Sequence, residues 1–442
     1  SLVDPGDLYW SPGSPLPLEK ILAEALASGK AAGGVALIEW PPAARNCRQA
    51  LADIQATLQQ ALELYTAESA TSAFWGRRWI KNSLDFVCGD GPLAMPGTGS
   101  TPVVIACAGP GLHDAIPAIR TAGNHIRLWA LASAHQALLK EGLEPELVLG
   151  TDPGFWNGAH LAMVARKGSL LAATPSTRLG ASILDGHCPI VPVSTGLGFE
   201  LDALAAIGIA PGISAMASGT AAGSALSVAC TLNTGPVYLC GLDLAAQGLA
   251  EHAFPYAFDI LDKLRASRLS PDLAWRFARV MDRYPGIQGT WRLSRTFSTY
   301  ALDAAIRTSR ADVFRVSSSP VDAGINRIHP DQLLFSQPAG QAAHSMGKVQ
   351  FFTRSFTGKT RFEAMVDLLR QRSERALATL KECACAGLPV PRETALELFA
   401  FGGKGCAPAI ANAARGKTSK QDIQEAEIAA SSGSKYLAGG NP

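Results

Sequence analysis

In the stretch VVIACAGPGLHDAI, residues 103–116, an apolar run breaks at Gly109-Pro110-Gly111 and resumes with helical spacing. A strand that turns on glycines into a helix presents backbone N–H groups and the positive end of the helix dipole, the parts of a phosphate site. Pro110 donates no hydrogen bond, but its fixed φ suits a first helical turn. The same residues also make a plain tight connection, so both readings stand. A dinucleotide loop wants G-x-G-x-x-G and an acid at the end of the second strand, where this chain has Ala132-Ser133. A P-loop wants a lysine, and none follows here. The expectation is therefore against NAD and against a motor-type ATP site.

Further chemistry-bearing residues follow other apolar runs. Asp152 stands in VLGTDPG and Asp243 in VYLCGLDLA. A carboxylate there can accept from sugar hydroxyls, hold a divalent cation or act as a base, and equally can cap the next turn. Ser218-Gly219-Thr220 opens a small-residue helix, either as a second anion-binding N-terminus or as ordinary N-capping. His252, Tyr256 and Asp259 lie shortly after Asp243, in a group suited to proton transfer or to a packed loop.

The elements that must position these residues alternate. Apolar runs at 103–107, 126–132, 147–151, 169–173, 190–194, 237–241 and 313–316 read as strands, with helical patterns such as 134–141, 159–166 and 220–232 between them. That alternation predicts an α/β fold, a Rossmann-like, mostly parallel sheet buried on both faces. Ligands of such sheets bind beyond the carboxyl ends of the strands. Residues 1–100 read as a smaller α/β region with a strand at 35–39, a helical pattern from Cys47 and a basic-aromatic helix at WGRRWIKNSLDF. Residues 101–335 form the central domain and 336–442 a helical region; 90–102 and 336–347 read as linkers, and AASSGSKYLAGGNP as a loose tail.

Composition bounds the function. The 442 residues carry a net charge of +2, which gives no reason to expect nucleic acid. Nine scattered cysteines include no C-x-x-C pair, so reduced thiols, a cytoplasmic location and no metal site are expected. Asp4, Pro5 and Asp7 do not suit a signal peptide. No charged residue occurs from Ala203 to Leu242, but Pro211, Pro236 and many small polar residues interrupt the run, so a buried core is expected rather than a membrane span. Twelve Lys/Arg against six Asp/Glu between Arg354 and Lys420 read as a solvated helical face or a docking surface.

Taken together the motifs resemble the motility accessory factor (Maf) flagellin glycosyltransferases. GPGL looks like that family's G-P-S-L loop, ASAHQALLKEGLEPELVLGTDP like its segment running to an aspartate, and SGTAAGSALSVACTLNTGPVYLCGLDLA followed by a histidine like its small-residue helix and G-x-D-L-A strand end. WGRRWIKNSL and FRVSSSPVDAGINRI fall where the family has a basic-aromatic helix and a strand followed by a turn. The likeness spans about residues 35–328. The core is also similar to bacterial sialyltransferases that use CMP-sialic acid, with Tyr256–Asp259 matching their Y-A-F-D, and more distantly to archaeal-type hydroxymethylpterin pyrophosphokinases.

The resemblance implies a cytoplasmic transferase that moves a nonulosonic acid of pseudaminic or legionaminic type from a CMP donor to flagellin Ser/Thr, in support of motility. By position, Gly109, Pro110 and Gly111 would line the nucleotide phosphate and ribose, and Ser133 and Asp152 the donor pocket. Ser218, Gly219 and Thr220 would bind the sugar carboxylate or phosphate, and Asp243, His252 and Tyr256 would border the reacting centre. Transfer through an oxocarbenium-like state needs stabilisation of the departing phosphate, which helix N-termini and tyrosine hydroxyls supply. A metal-independent, inverting reaction without a further cofactor is the expectation. Two departures stand out: the family's loop serine is Gly111 here, and the sialyltransferases' histidine has no counterpart around residues 295–297. An ATP- and magnesium-dependent pyrophosphokinase using Asp152 and Asp243, and a flagellin-binding scaffold without activity, are the alternatives.

Overall fold

The computed structural model describes residues 18, 22, 41–167, 169–186, 188–209, 212–215, 220–294, 310, 312–333, 347–388, 390–413 and 417–438. The expected strand at 35–39 and residues 336–346 of the second linker lie outside them. Contacts divide the chain into two units, Ser1–Lys81 with Glu363–Pro442, and Asn82–Phe362. This grouping cuts across the boundaries at 100 and 335, because the two helical patterns after Cys47 form one continuous helix, Arg48–Cys88.

The first unit is helical among its described residues. Parts of Arg48–Cys88 and Gly358–Ala386 belong to it, with Arg392–Gly402, Ala407–Ala413 and Lys420–Ala438. Leu380, Val390, Leu398, Cys406, Ile410 and Ala426 form its core. The terminal stretch read as loose is helical as far as Ala438. Serine and glycine are poor helix signals by propensity, and at the start of the stretch Ala430 is buried and Ala429 packs on the core.

The second unit is the α/β domain. Its strands are β1 (Leu93–Gly97), β2 (Val103–Ala106), β3 (Arg127–Leu131), β4 (Leu147–Gly150), β5 (Leu170–Ala173), β6 (Ile190–Ser194), β7 (Ile213–Ser214), β8 (Val237–Cys240), β9 (Ala245–Gln247), β10 (Gly286–Gln288), β11 (Trp291–Leu293), β12 (Val313–Val316), β13 (Asn326–Ile328) and β14 (Gly347–Phe352). The main sheet runs β13-β12-β8-β2-β3-β4-β5-β6-β1-β14, with β7 on β6. All its pairings are parallel except β1 with β14. The expected mostly parallel α/β sheet is thus present.

Alternation along β2 shows why both faces are covered. Val103 and Ile105 pack with the helix Ala221–Leu232 on one side. Val104 and Ala106 pack with Leu112–Ala122 and His135–Lys140 on the other. Side chains of period two therefore meet a helix on each face, and the strand reads as an unbroken apolar run. The charge-free stretch 203–242 supplies part of this core rather than a membrane span, and no helix among the described residues is long and apolar enough to cross a membrane.

The first stretch read as a linker contributes β1, which lies inside the sheet between β6 and β14, and Gly347 at the end of the second opens the edge strand β14. Leu93 pairs with Phe352 and with Ile190, so β1 joins β14 to the sheet. Pro96 and the flanking glycines hid β1 from a composition-based reading; the proline falls at the shift of register between Met95 and Gly97, where a bulge admits it. Two arginines hold this edge. Arg361, 1% exposed, donates to the carbonyls of Val87 (2.8 Å), Gly89 (3.0 Å) and Phe356 (2.6 Å). Arg354 donates to the carbonyls of Gly91 (3.2 Å) and Phe86. Arg361→Met would leave several buried carbonyls without donors. It should lower stability to urea by roughly 3–5 kcal/mol, and a change under 1 kcal/mol would show the clamp to be dispensable.

Candidate active site

The chain leaves β2 toward β3 and later returns to add β8 on the other side of β2. The reversal of direction falls between these two strands, and in parallel sheets that is where a ligand crevice opens at the carboxyl ends. The Gly-Pro-Gly turn leaves β2 there, and Gly241-Leu242-Asp243 leaves β8 beside it. Cys107 N–H donates to Cys240 O at 2.7 Å, and Gly109 N–H to Gly241 O at 2.9 Å. Gly241 adopts φ +75°, and a Cβ on it would meet Cys107 O at 2.7 Å, so glycine is required on two counts.

Asp243 fills the turn. Its carboxylate accepts Gly111 N–H at 2.6 Å and Ser317 O–H at 2.5 Å, and the residue is 1% exposed. The N–H groups of Gly109 and Gly111, the donors expected to meet a phosphate, are therefore engaged within the protein. The chain's own carboxylate stands where that anion was anticipated, and Asp243 supports the loop rather than lining an open reacting centre. A Cβ on Gly109 would collide with Asp243 Oδ2, and one on Gly111 would lie 2.7 Å from Oδ1. With Asp243 in this place the loop has no room for a side chain at residue 109 or 111. Burial raises the Asp243 carboxyl above its ordinary range, and the bonds from Ser317 and Gly111 pull it back.

Arg315 and two serines hold Asp243 in turn. Arg315, 1% exposed, donates to Leu242 O at 2.6 Å, to Asp243 O at 3.1 Å and to Val321 O. Burial lowers its pKa to about 10. Ser319 donates to Asp243 O at 2.7 Å. The residue roles of Arg315, Ser317 and Ser319 were not read from the sequence; a cation and two hydroxyls closing an apolar strand, FRVSSS, were the available signal.

Beside this turn the segment after β9 is drawn in by two bonds, Ala253 N–H to Ala108 O at 2.8 Å and Phe254 N–H to His113 Nε2 at 3.0 Å. It carries His252, stacked on Tyr256 with ring centroids 4.0 Å apart. Tyr256 Oη lies 3.5 Å from His160 Nε2, and Phe258 packs on His160 at 4.8 Å. Burial lowers His160 to about 4, with Asp152 opposing, and burial also lowers His252. Both imidazoles are neutral at pH 7. Burial first, then the charges of Glu251 and Asp152, raise the Tyr256 phenol, so it stays protonated as a donor. Alongside lies a cavity of about 410 Å³ whose walls include Trp156, His252, Tyr256, Phe258, Arg276 and Arg279.

The remaining expected residues take distinct places. Asp152 is exposed at the end of β4, where its Oδ1 accepts Gly154 N–H at 2.7 Å in a local turn. Ser133 is half-buried after β3. Thr220 caps the helix Ala221–Leu232 by accepting Gly223 N–H at 3.1 Å, while Ser218 and Gly219 lie outside the described residues. Asp259 accepts Tyr256 N–H at 2.8 Å and fixes the histidine–tyrosine segment. Among the described residues no group of three or more His, Cys, Asp or Glu is arranged to hold a metal. His113 and His160 were missed in the sequence, where each is a lone histidine at the start of an amphipathic helix.

Comparison with known proteins places this geometry in a wider setting. Residues 92–248 match the profile of the family described as 6-hydroxymethylpterin diphosphokinase MptE-like. An uncharacterized protein of Treponema pallidum (strain Nichols) is 26% identical over 374 residues, 78% of this chain and 82% of that one. The MAf glycosyltransferase from Magnetospirillum magneticum AMB-1 shares the fold, with a TM-score of 0.50 and 14% identity over 86% of this chain. The match covers 63% of that longer protein's length. These likenesses agree with the resemblance carried by the loop motifs.

Two measurements test the geometry. Gly111→Ala should destabilise by about 1–3 kcal/mol, and its effect combined with Asp243→Ala should fall short of additive in urea unfolding; strict additivity would separate the loop from the acid. His160 is expected to make acid unfolding easier. The unfolded chain takes its proton below the ordinary value of 6.5, and the folded one resists until about 4. The stability it contributes is full above pH 6.5 and fades toward pH 4, by up to roughly 3 kcal/mol. Asp243 and Glu200, both raised by burial, act in the opposite sense. The comparison is therefore wild type against His160→Gln, whose profile should be flatter across that window.

Proposed function

We propose that this protein is a glycosyltransferase that moves a nonulosonic acid of pseudaminic or legionaminic type from a CMP-activated donor to serine or threonine hydroxyls of flagellin, in the cytoplasm. The observation that carries the reading is the convergence, beside the Gly-Pro-Gly turn, of a phenol kept protonated and the neutral His252 imidazole on one cavity wall, with His160 behind the phenol. The fold shared with a glycosyltransferase supports it, as do nine free thiols for the location.

In this reading Tyr256 donates its O–H to the departing phosphate, and the arginines of the cavity offset the growing negative charge. His252, on the cavity wall and neutral at pH 7, takes the proton of the acceptor hydroxyl. Asp152 and Ser133 border the donor, and the segment 218–220 meets its carboxylate. Asp243 and the turn it braces hold the 253–254 backbone in place, through Ala108 and His113, without touching the reacting atoms. The base missing around residues 295–297 is thereby supplied from His252.

The match to the diphosphokinase family favours a second reading, an ATP- and magnesium-dependent transferase. Asp243 is poorly placed for that role, since binding a cation would cost its bonds to Gly111 and Ser317. Titration calorimetry with CMP, CDP, UDP and ATP with magnesium separates the readings. Preference for CMP supports the first, ATP with magnesium the second, and silence toward all four a scaffold without activity. With a CMP-sugar donor, His252→Gln should lower kcat by about 10²–10⁴-fold. The acidic limb of the wild-type profile should fall below pH 6.5, because burial lowers this imidazole.

A further inference from the structure

The excursion between β9 and β10 is built inside out. Its helices Asp259–Arg265 and Asp272–Arg283 face each other through charge, with Arg276 3.1 Å from Asp259 and Arg279 3.2 Å from Asp262. Their large apolar side chains point elsewhere. Ile260 and Leu264 are 63% and 76% exposed, Leu273 and Phe277 are 65% and 54% exposed, and Leu269 in the connecting turn is 91% exposed. A spacing of four puts each helical pair on one face. In the second helix Val280 alone is buried. A helix pair at a water-facing surface turns its apolar stripe inward and its charges outward. Here the order is reversed, and with the less exposed Trp275 six large hydrophobes within residues 260–277 exceed the scattered exposure of an ordinary surface.

The charge around this row is cationic. Asp259, Asp262 and Asp272 are held by Arg276 and Arg279. Lys263, Arg265 and Arg268 are exposed and form no ion pair among the described residues; Lys263 rests over the Phe254 ring at 5.8 Å. Apolar side chains interleaved with unpaired cations match a bilayer interface, where the first enter the acyl boundary and the second meet anionic headgroups. Leu269 stands almost clear of the protein between Arg268 and the second helix, a side chain placed to insert rather than to be clasped.

We propose that this hairpin docks the protein on the surface of anionic lipid bilayers, lying in the interface without crossing it. The proposal is independent of the transferase reading, since it rests on the hairpin's surface alone. The same excursion carries His252 and Tyr256, so docking would bring the cavity mouth to the headgroup plane.

The test is co-sedimentation of the full chain with vesicles of phosphatidylcholine alone and with one quarter phosphatidylglycerol. Binding to the anionic vesicles should exceed binding to neutral ones at least about fivefold, the increment of one cation near such a surface, and should weaken with salt. Leu269→Asp with Leu273→Asp should abolish it, and Arg268→Glu should reduce it; near-ultraviolet circular dichroism unchanged from wild type checks the fold of each. No sedimentation with anionic vesicles, or binding indifferent to both variants, overturns the proposal. So does a concentration-dependent dimer in light scattering that Leu273→Asp dissolves, which would assign the row to a second copy of the chain.

Discussion

The Asp243 carboxylate, held between Gly111 N–H and Ser317 O–H, is the interaction on which the candidate site depends. It ties the loop after β2 to the loop after β8 where the sheet reverses direction, and Ser317, just past β12, joins the third strand to the same point. Burying a carboxylate is costly unless its lone pairs are met and a cation lies near. Gly111, Ser317 and Arg315 meet those conditions, and the raised pKa records what burial still costs. Once the turn is fixed, Ala108 O and His113 Nε2 fall where they can receive the backbone of 253–254. The position of Tyr256 thus follows from an acid that never faces the cavity.

Two kinds of charge handling divide this region. On the sheet side, charged groups are dry and bound chiefly to backbone, as with Arg315 and Asp243. On the excursion side, Glu251, Asp259 and Asp262 share Arg276, Arg279 and Arg283 in a partly wetted network. Burial on the first side gives rigidity, while partial exposure on the second leaves cations that a ligand's anionic groups can compete for. The histidine–tyrosine group sits at the junction, dry enough to keep its imidazoles neutral and its phenol protonated.

Much of the fold was legible because parallel strands buried on both faces are unbroken apolar runs. β2, β3, β4, β5, β6, β8 and β12 lie where such runs occur. Elements whose existence depends on distant partners were not. β1, with its proline and glycines, is a strand only because β14 and β6 pair with it. β9, β10 and β11 are three-residue strands with little periodicity. The loop, Asp152, Asp243, His252 and Tyr256 were legible as strand-end chemistry. The direction in which Asp243 points was not, since an acid that fills a turn and one that faces a substrate have the same sequence. His113, His160 and Arg315 escaped because a lone histidine or arginine gains meaning only from what folds against it.

The packing of Gly109, Gly111 and Asp243 also has a historical side. In this chain a side chain on the loop and the carboxylate beneath it compete for one space. A loop that carries serine above the same aspartate must hold the acid or the turn in another place. Residue 111 therefore reports where the carboxylate of residue 243 lies, and not whether it is there.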